Sequence, residues 1–495
     1  MPMIPLKLPP GIFRVGTEYG SSGRWYDANL VRFYQGTIQP YKGWRLRVEA
    51  ALAGVPRAIF SWRANNATRW MAIGTHTKLY VLEGGLSTFD ITPAGYVTGR
   101  ANASVANGFG NGPYGRYAYG TARPDESITG ALDATIWSLD SWGQNLVACA
   151  PEDGKLYEWS LNTAADALQI ANSPINCTGL VVTPERILVA LGAGGNPRRI
   201  QWSDQEDNTS WTPSATNQAG DFEFQTSGSL KVAYRVRGGV LYLTDVDAWF
   251  GTYQGLPLVY GFDKVGSACG IVGKGAGAPV ETYAVWMGES GFWIFDGYTK
   301  PLPCEVADYV FGDINRAQIS KATASVNSAF GEVRWDYPSG NSSENDRYVV
   351  WNYRENHWTI GTMARTAGED SGVFDEPTLV SPDGFVWAHE DGFAYPGAAS
   401  TPYLEGGPVE LGVGDAVMMA RALIPDEKTL GDVQARFFTR FYPNAAETTW
   451  GPYTLSERTD VRITARQLNL RVEGVRLTDW RVGTIRFEAV PGGLR

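Results

Sequence analysis

Histidine, cysteine and long apolar runs are scarce in this chain of 495 residues, which contains 3 His and 4 Cys. The cysteines stand at 149, 177, 269 and 304, so no two of them have the spacing of a CxxC zinc or redox motif. We expect them to be small apolar core residues in a reducing compartment rather than two disulfides. No stretch approaches ~18 consecutive apolar residues, and the first residues lack a signal-peptide pattern, so no membrane-spanning segment is expected.

Charged residues make up only 19% of the chain, and the net charge is -10. Residues 1–60 hold 8 basic and 3 acidic residues, residues 61–420 hold 22 and 40, and residues 421–495 hold 12 and 9. This pattern is consistent with chance plus solubility, or with basic ends that dock on acidic surfaces of the same protein or of a partner. An acidic protein is a poor candidate for tight binding of a phosphate backbone, although it could line a path along which DNA slides.

Motifs for nucleophilic, metal-dependent or nucleotide-dependent catalysis are missing. The sequence has no GxSxG, HExxH or helix-opening GxGxxG motif, and GSACGIVGK at 266–274 lacks two required residues of a phosphate loop. We expect the three histidines to be surface or capping residues, with the middle one in a loop: His76, His357 and His389. No catalytic, cofactor-binding or metal-binding residue is therefore predicted, and no cofactor.

Paired carboxylates remain the one route to an enzyme. Four aspartates could reach a central channel, but nothing in the sequence pairs any two of them: Asp245, Asp247, Asp296 and Asp336. The segment SPDGFVW at 381–387 approaches the Asp box of sialidases without its spacer. An Asp-Gly hairpin turn is the simpler interpretation.

Glycine, proline and tryptophan are abundant, with 58, 28 and 18 residues. Glycine and proline favour many short elements joined by turns. Hairpins with an apolar strand, a Gly or Asp-Gly turn and an aromatic strand recur every ~40–50 residues, which is typical of propeller blades. They cover Trp70–Leu82, Gln144–Trp159, Arg186–Trp202, Gly239–Tyr253, Tyr283–Asp296, Gly331–Trp351 and Thr378–His389. The sequence predicts an all-β protein with a β-propeller-like body of about six or seven blades over residues 56–400.

Other segments flank or interrupt this body. Residues 1–55 are interpreted as an N-terminal arm and first strands, and a Gly/Tyr-rich insertion is expected at about 85–135. Its segment 107–124 is either a surface loop or an adaptable contact arm. A short helix is expected around Ala307–Ser320. Residues 401–495 predict a β-sandwich-like region, in which a bulge near Gln467 interrupts the alternation of Val461–Glu473.

Several blocks resemble the tail nozzle or hub proteins of short-tailed bacteriophages, the packaged-DNA stabilisation family. The opening LPPGIFRVGTEYGSSGRWYDANLVRFYQGTIQPYKGW resembles the start of such proteins. The resemblance is strongest at RRIQWSDQEDNTSWTPSATNQAGDF, where Trp202, Ser203, Asp204 and Trp211 stand at the expected places. It recurs at VWMGESGFWIFDG, LPCEVADYVFGDIN and DWRVGTIRFEAVPGGLR.

The resemblance implies a structural, non-enzymatic virion protein that is assembled in the host cytoplasm. Six copies would form a ring below the portal and its head-to-tail adaptor, extend the DNA channel and retain packaged DNA. The ring would anchor fibre, spike or needle proteins, and double-stranded DNA would pass without sequence-specific binding. The alternative is a carbohydrate-binding or carbohydrate-degrading propeller used in host recognition.

Two local expectations accompany the resemblance. Asp204 is expected to accept backbone N–H groups across a structured loop bracketed by Trp202 and Trp211. The proline-rich residues 1–12 are expected to begin extended and to add a strand to a neighbour or to pack on the adaptor.

Overall fold

Seven four-stranded antiparallel sheets form most of the protein, and they are propeller blades 1 to 7 in chain order. The computed structural model describes residues 3–104, 132–398, 401–410, 412, 416–442 and 445–493. The second and third strands of every blade coincide, to within two residues, with the seven hairpins that the sequence predicts, which confirms the propeller and sets the blade count at seven. The hairpins are recognisable because Asp-Gly and Gly turns between apolar strands leave a local signature.

The strands of each blade follow one another from the innermost to the outermost. They are Pro56–Arg63, Arg69–Thr75, Leu79–Glu83 and Ser87–Asp90 in blade 1; Ser138–Trp142, Asn145–Cys149, Leu156–Trp159 and Leu168–Gln169 in blade 2; Gly179–Val182, Leu188–Leu191, Arg199–Trp202 and Gly220–Glu223 in blade 3; Leu230–Val236, Gly239–Thr244, Asp247–Gly255 and Val259–Ser267 in blade 4; Gly277–Val280, Tyr283–Met287, Phe292–Phe295 and Thr299–Leu302 in blade 5; Thr323–Asn327, Glu332–Tyr337, Arg347–Asn352 and His357–Thr362 in blade 6; and Ala367–Glu369, Thr378–Val380 and Val386–His389 in blade 7.

The ring of blades is closed by a strand from the N-terminal segment. Trp44–Val48 pairs with Val386–His389 and supplies the outermost strand of blade 7. The inner strands of neighbouring blades contact each other all the way round, including blades 7 and 1. The first and last parts of the propeller are therefore held together by backbone hydrogen bonds.

Most of the remaining strands form a β-sandwich of two sheets that combines both ends of the chain. Phe437 of one sheet contacts Phe487 of the other with ring centroids 5.6 Å apart, and both lie in the same apolar core. The first sheet contains Met3–Leu6, Ile485–Gly493, Val417–Ile424 and Thr459–Ala465; the second contains Trp25–Asn29, Tyr403–Gly406, Val409–Glu410, Gln467–Gly474, Val433–Arg440 and Thr448–Thr454. A further hairpin, Val31–Tyr34 with Thr37–Pro40, follows the second N-terminal strand.

The structure corrects the expected bulge in the C-terminal region and gives the position of the N-terminal strand. The alternation slips at Gln467 because the chain passes from one sheet of the sandwich to the other between Ala465 and Gln467, not because of a bulge. The N-terminal strand Met3–Leu6 pairs with the last strand of its own chain. Contact of residues 1–12 with a neighbour or with the adaptor stays a prediction. Residues 1–55 are thus shared between the sandwich and blade 7.

Short helices occur at the connections. The predicted helix is an α-helix, Ala307–Asp313, which is followed by the 3-10 helix Arg316–Lys321. Elsewhere in the described residues, 3-10 helices span Glu18–Ser21 and Ala193–Gly195. The Gly/Tyr-rich segment 107–124 lies outside the described residues.

Candidate functional site

The central channel of the propeller forms a cavity of about 530 Å³. All seven inner strands line it, and each of these strands pairs on one side only. Free edges of the strands, with unpaired backbone N–H and C=O groups, therefore face the channel. We call the end at which the inner strands begin the N-mouth, and the end at which they finish the C-mouth.

The N-mouth is crossed by basic side chains that connect different blades. Lys274, which precedes the inner strand of blade 5, donates to the carbonyl oxygens of Ile136 and Thr178 next to blades 2 and 3. Burial lowers the pKa of this lysine. Arg57 of blade 1 and Lys321 before blade 6 both bind Glu344 Oε1, at 2.7 and 2.8 Å. These contacts tie the blades together and leave the N-mouth rich in positive charge.

The two ends of the long insertion after blade 1 lie at this same mouth. Asn102 accepts a hydrogen bond from Lys321 Nζ at 2.6 Å, and Asp133 pairs with Lys231 of blade 4 at 2.8 Å. Ser104 and Leu132 form an isolated β-bridge between the two ends. The insertion thus begins and ends beside the channel rather than on the outer wall of the propeller.

The C-mouth carries most of the acidic groups of the channel. Asp140 pairs with Arg235 Nη2 at 3.1 Å and accepts the Val182 amide at 2.9 Å. Glu369, Asp370 and Glu281 line the same end. Burial raises the pKa of Glu369 to about 8, opposed by a backbone hydrogen bond from Ser61.

The wall between the mouths is mainly apolar. Six half-buried side chains from four blades line it: Ile59, Phe60, Leu139, Val232, Ala324 and Val326. The channel therefore offers an apolar middle with a basic end and an acidic end.

A second, buried charge cluster joins blades 6 and 7 and was not foreseen from the sequence. Arg32, from the hairpin after the sandwich strand Trp25–Asn29, binds Glu332 through Nε and Nη2 at 3.0 Å each. Its Nη1 also binds Glu390 at 3.0 Å. Its guanidinium stacks over Phe330 and Tyr41, with 3.7 and 4.1 Å to the ring centroids. We call this group of residues the Arg32 clamp. Its members come from distant parts of the chain, so no local sequence pattern predicts it.

The histidines occupy structural positions, and two of them are more buried than the sequence suggested. His76 Nδ1 accepts the Val55 amide at 3.0 Å, as expected for a residue near a turn. His357 begins a strand rather than lying in a loop, and it is 4% exposed against Phe33. His389 is 8% exposed because it stacks on Trp44 and accepts from Arg365 Nε.

The four candidate aspartates do not meet in the channel. Asp245 accepts the Ser229 amide, and Asp296 pairs with Lys300 at a turn. Asp247 is buried among Thr226, Thr244 and Lys264, and Asp336 pairs with Arg334 of its own strand. None of the four lines the cavity, so the expectation that they reach it was wrong.

The loop of the strongest resemblance is structured as expected. Asp204 Oδ1 accepts the amides of Gln205 and Gln218 at 2.9 and 2.8 Å. Trp202 and Trp211 are buried, at 5% and 2% exposure, and each indole donates to a carbonyl of the same loop. The loop therefore has internal partners for its polar groups. The segment 381–387 is likewise a turn, in which the Gly384 amide donates to Ser381 O.

All four cysteines are free thiols; three are buried and Cys304 is half-buried. Among the residues that the structure describes, no group of three or more His, Cys, Asp or Glu could hold a metal ion. Within the same residues, no helix has the length and apolar character to cross a membrane.

The architecture is that of a seven-bladed β-propeller joined to a β-sandwich. No family model matches the chain, and no curated protein matches it. Among solved structures, a streptogramin B lyase is similar over 68% of this chain and 94% of its own, with 8% identity and a TM-score of 0.40. A virginiamycin B lyase from Staphylococcus aureus has 6% identity and a TM-score of 0.42 over 68% and 94% of the two chains. The Pan2 WD40 domain of Neurospora crassa has 8% identity and a TM-score of 0.39 over 72% and 98%.

Proposed function

We propose that this protein is a structural, non-enzymatic subunit of the tail of a short-tailed bacteriophage. Six copies form the nozzle or hub ring below the portal and the adaptor, and the ring extends the DNA channel. It retains the packaged genome and anchors fibres or spikes. Double-stranded DNA passes through it without sequence-specific binding.

The supporting observation is where the phage-like sequence blocks lie in the fold. The blocks at 8–44, 302–315 and 479–493 come from distant parts of the chain and meet where the sandwich joins the propeller. Arg24 binds Glu305 at 2.7 Å. The Ile12 amide donates to Trp358 O at 2.7 Å, and Ile38 pairs with Val482.

This junction fixes the orientation of the sandwich relative to the propeller, which a ring subunit requires. One continuous apolar core includes residues of blades 4 to 6 and of the sandwich, with Trp25, Phe33 and Trp358 among them. A core of this kind holds two modules in one orientation, because separating them would expose apolar surface to water. A fixed orientation is what a subunit needs when it must close a ring and resist the pressure of packaged DNA.

The surface also offers two different apolar sites, one on each module. The tip of the long blade 4 hairpin exposes 60% of Leu256 and 70% of Leu258. One end of the sandwich exposes Leu430, Val475 and Leu477. Subunits that follow one another round a ring contact through two unlike surfaces, and separate apolar patches suit such heterologous contacts.

Electron microscopy of the purified protein and of intact particles tests the proposal. We expect a sixfold ring about a central pore, located below the portal. Leu258→Ser should weaken ring formation, whereas Leu168→Ser, at an equally exposed position in blade 2, should leave it unchanged. A monodisperse monomer that is absent from the tail axis of the particle would contradict the proposal.

A further inference from the structure

The carboxylate of Glu369 lies inside the channel without a basic partner. It follows Ala367 on the same face of the blade 7 inner strand, and Ala367 packs against Ile59 of blade 1 in a shared cluster. The backbone amide of Ser61 donates a hydrogen bond to it, and Asp370 adds a second negative charge nearby. Among the described residues, no Lys, Arg or His forms an ion pair with Glu369. A half-buried carboxylate without a counter-ion is stabilised by any cation that enters the channel.

Two further polar side chains near the C-mouth lack hydrogen-bond partners. Ser61, 8% exposed, has a buried hydroxyl with no partner beside Glu369. Tyr353 lines the channel, and its hydroxyl is also buried and unpartnered. Buried polar groups in proteins are nearly always satisfied, so unsatisfied ones beside a cavity indicate a place for another polar group.

The other residues of the channel determine which ligand can carry the cationic group that binds Glu369. The channel that Glu369 lines also has apolar side chains in its wall, among them Ile59 in the same cluster as Ala367, and these favour an aliphatic stem. At the far end, Lys274 donates to backbone carbonyl oxygens and keeps a positive charge at the N-mouth, which disfavours a second cation on a ligand. Arg235 at the C-mouth is already paired with Asp140, so it does not neutralise Glu369.

We propose that the channel binds an alkylammonium group: a primary ammonium at Glu369, carried on an unbranched aliphatic stem that lies along the apolar wall. The group is supplied either by a free monoamine or by a lysine side chain of a partner protein. This site does not depend on the role in a phage tail.

Calorimetric titration of the full chain with n-hexylamine at pH 9 tests the site, since Glu369 is then mostly ionised and the amine remains mostly protonated. We expect hexylamine to bind at least tenfold more tightly than hexanol and hexanoate, which have the same stem without the ammonium. Equal affinity for the three compounds, or no binding of hexylamine, would overturn the proposal without any variant.

Substitutions then locate the site. Glu369→Gln should weaken hexylamine binding at least tenfold, whereas Asp375→Asn, which removes an exposed carboxylate of the same blade, should leave it unchanged. Hexylamine binding that survives Glu369→Gln would overturn the assignment. Comparison with Nα-acetyl-lysine N-methylamide separates the two sources, because a preference for this probe indicates a partner's lysine and a preference for hexylamine indicates a free amine.

Discussion

Replacing Arg32 by methionine should destabilise the protein strongly. Its side chain is 2% exposed, and its two partners, Glu332 and Glu390, are 5% and 14% exposed. Burial lowers the pKa of Arg32, but the two carboxylates more than offset this and raise it above its ordinary value. Methionine fills a similar volume but leaves two buried carboxylates close together without a counter-ion.

Removal of one partner from a buried ion pair typically costs about 3–5 kcal/mol, because the other charge stays buried. We expect about 4 kcal/mol for Arg32→Met, since both partners lose their cation at once. Arg45 is the matched control, because it also faces two carboxylates, Glu376 and Asp391, but is 54% exposed. Arg45→Met should cost less than about 1 kcal/mol, as for other exposed pairs.

The assay is urea unfolding followed by tryptophan fluorescence, with the midpoint and slope compared between variants. Urea is preferred to guanidinium because it does not screen charges. The triple variant Arg32→Met, Glu332→Gln, Glu390→Gln should recover most of the lost stability, since no charge is then left unpaired. The reasoning would be refuted if Arg32→Met cost no more than Arg45→Met, or if the triple variant were no more stable than the single one.

Three other outcomes are expected. Folding raises the pKa of Glu369 from its ordinary value of 4.5 to about 8. The protonated side chain therefore favours the folded state below about pH 4.5, and this contribution is lost as the pH rises to about 8. Urea unfolding of Glu369→Gln should therefore show greater stability than the wild type at pH 8.5 and equal stability at pH 4.5; a constant difference would contradict this. Trp335→Ala, at a fully buried position between Phe292 and Trp358, should lower the unfolding free energy by about 4 kcal/mol, and a loss below 1 kcal/mol would show that this core is loosely packed. Deletion of residues 1–6 should expose the edge of the strand Ile485–Gly493 and increase amide hydrogen exchange there but not in blade 3; unchanged exchange would exclude the observed pairing.

The propeller could be predicted from the sequence because each blade contains a hairpin with a recognisable local sequence pattern. Hairpins such as Tyr283–Asp296 combine apolar strands with a tight turn, and the pattern recurs at a steady interval. The helix beginning at Ala307 could be predicted for the same reason. The outer strand of blade 7 could not, since Trp44–Val48 pairs with residues more than 300 positions away and has no turn to connect it to them.

The candidate site was less accessible to sequence reasoning. The expectation that acidic residues reach the channel named the wrong residues. Asp247 and Asp336 do not line it, because each is hydrogen-bonded or ion-paired within its own blade. Glu369 could not be predicted as a channel residue, because the segment GED at 368–370 has the same sequence pattern as an exposed acidic turn. Its enclosure depends on the neighbouring strand of blade 1.

The sequence by itself determined the elements of this protein: strand-rich composition, seven repeated hairpins, a change of pattern after residue 400 and cysteines without metal spacing. Tertiary structure decided how those elements are joined. It brought both chain ends into one sandwich, sent the chain across two sheets at Gln467, placed Arg32 between blades 6 and 7 and enclosed Glu369 in the channel. The physical reason is that turns and alternation are short-range properties, whereas strand pairing and charge burial between distant segments depend on the closed ring.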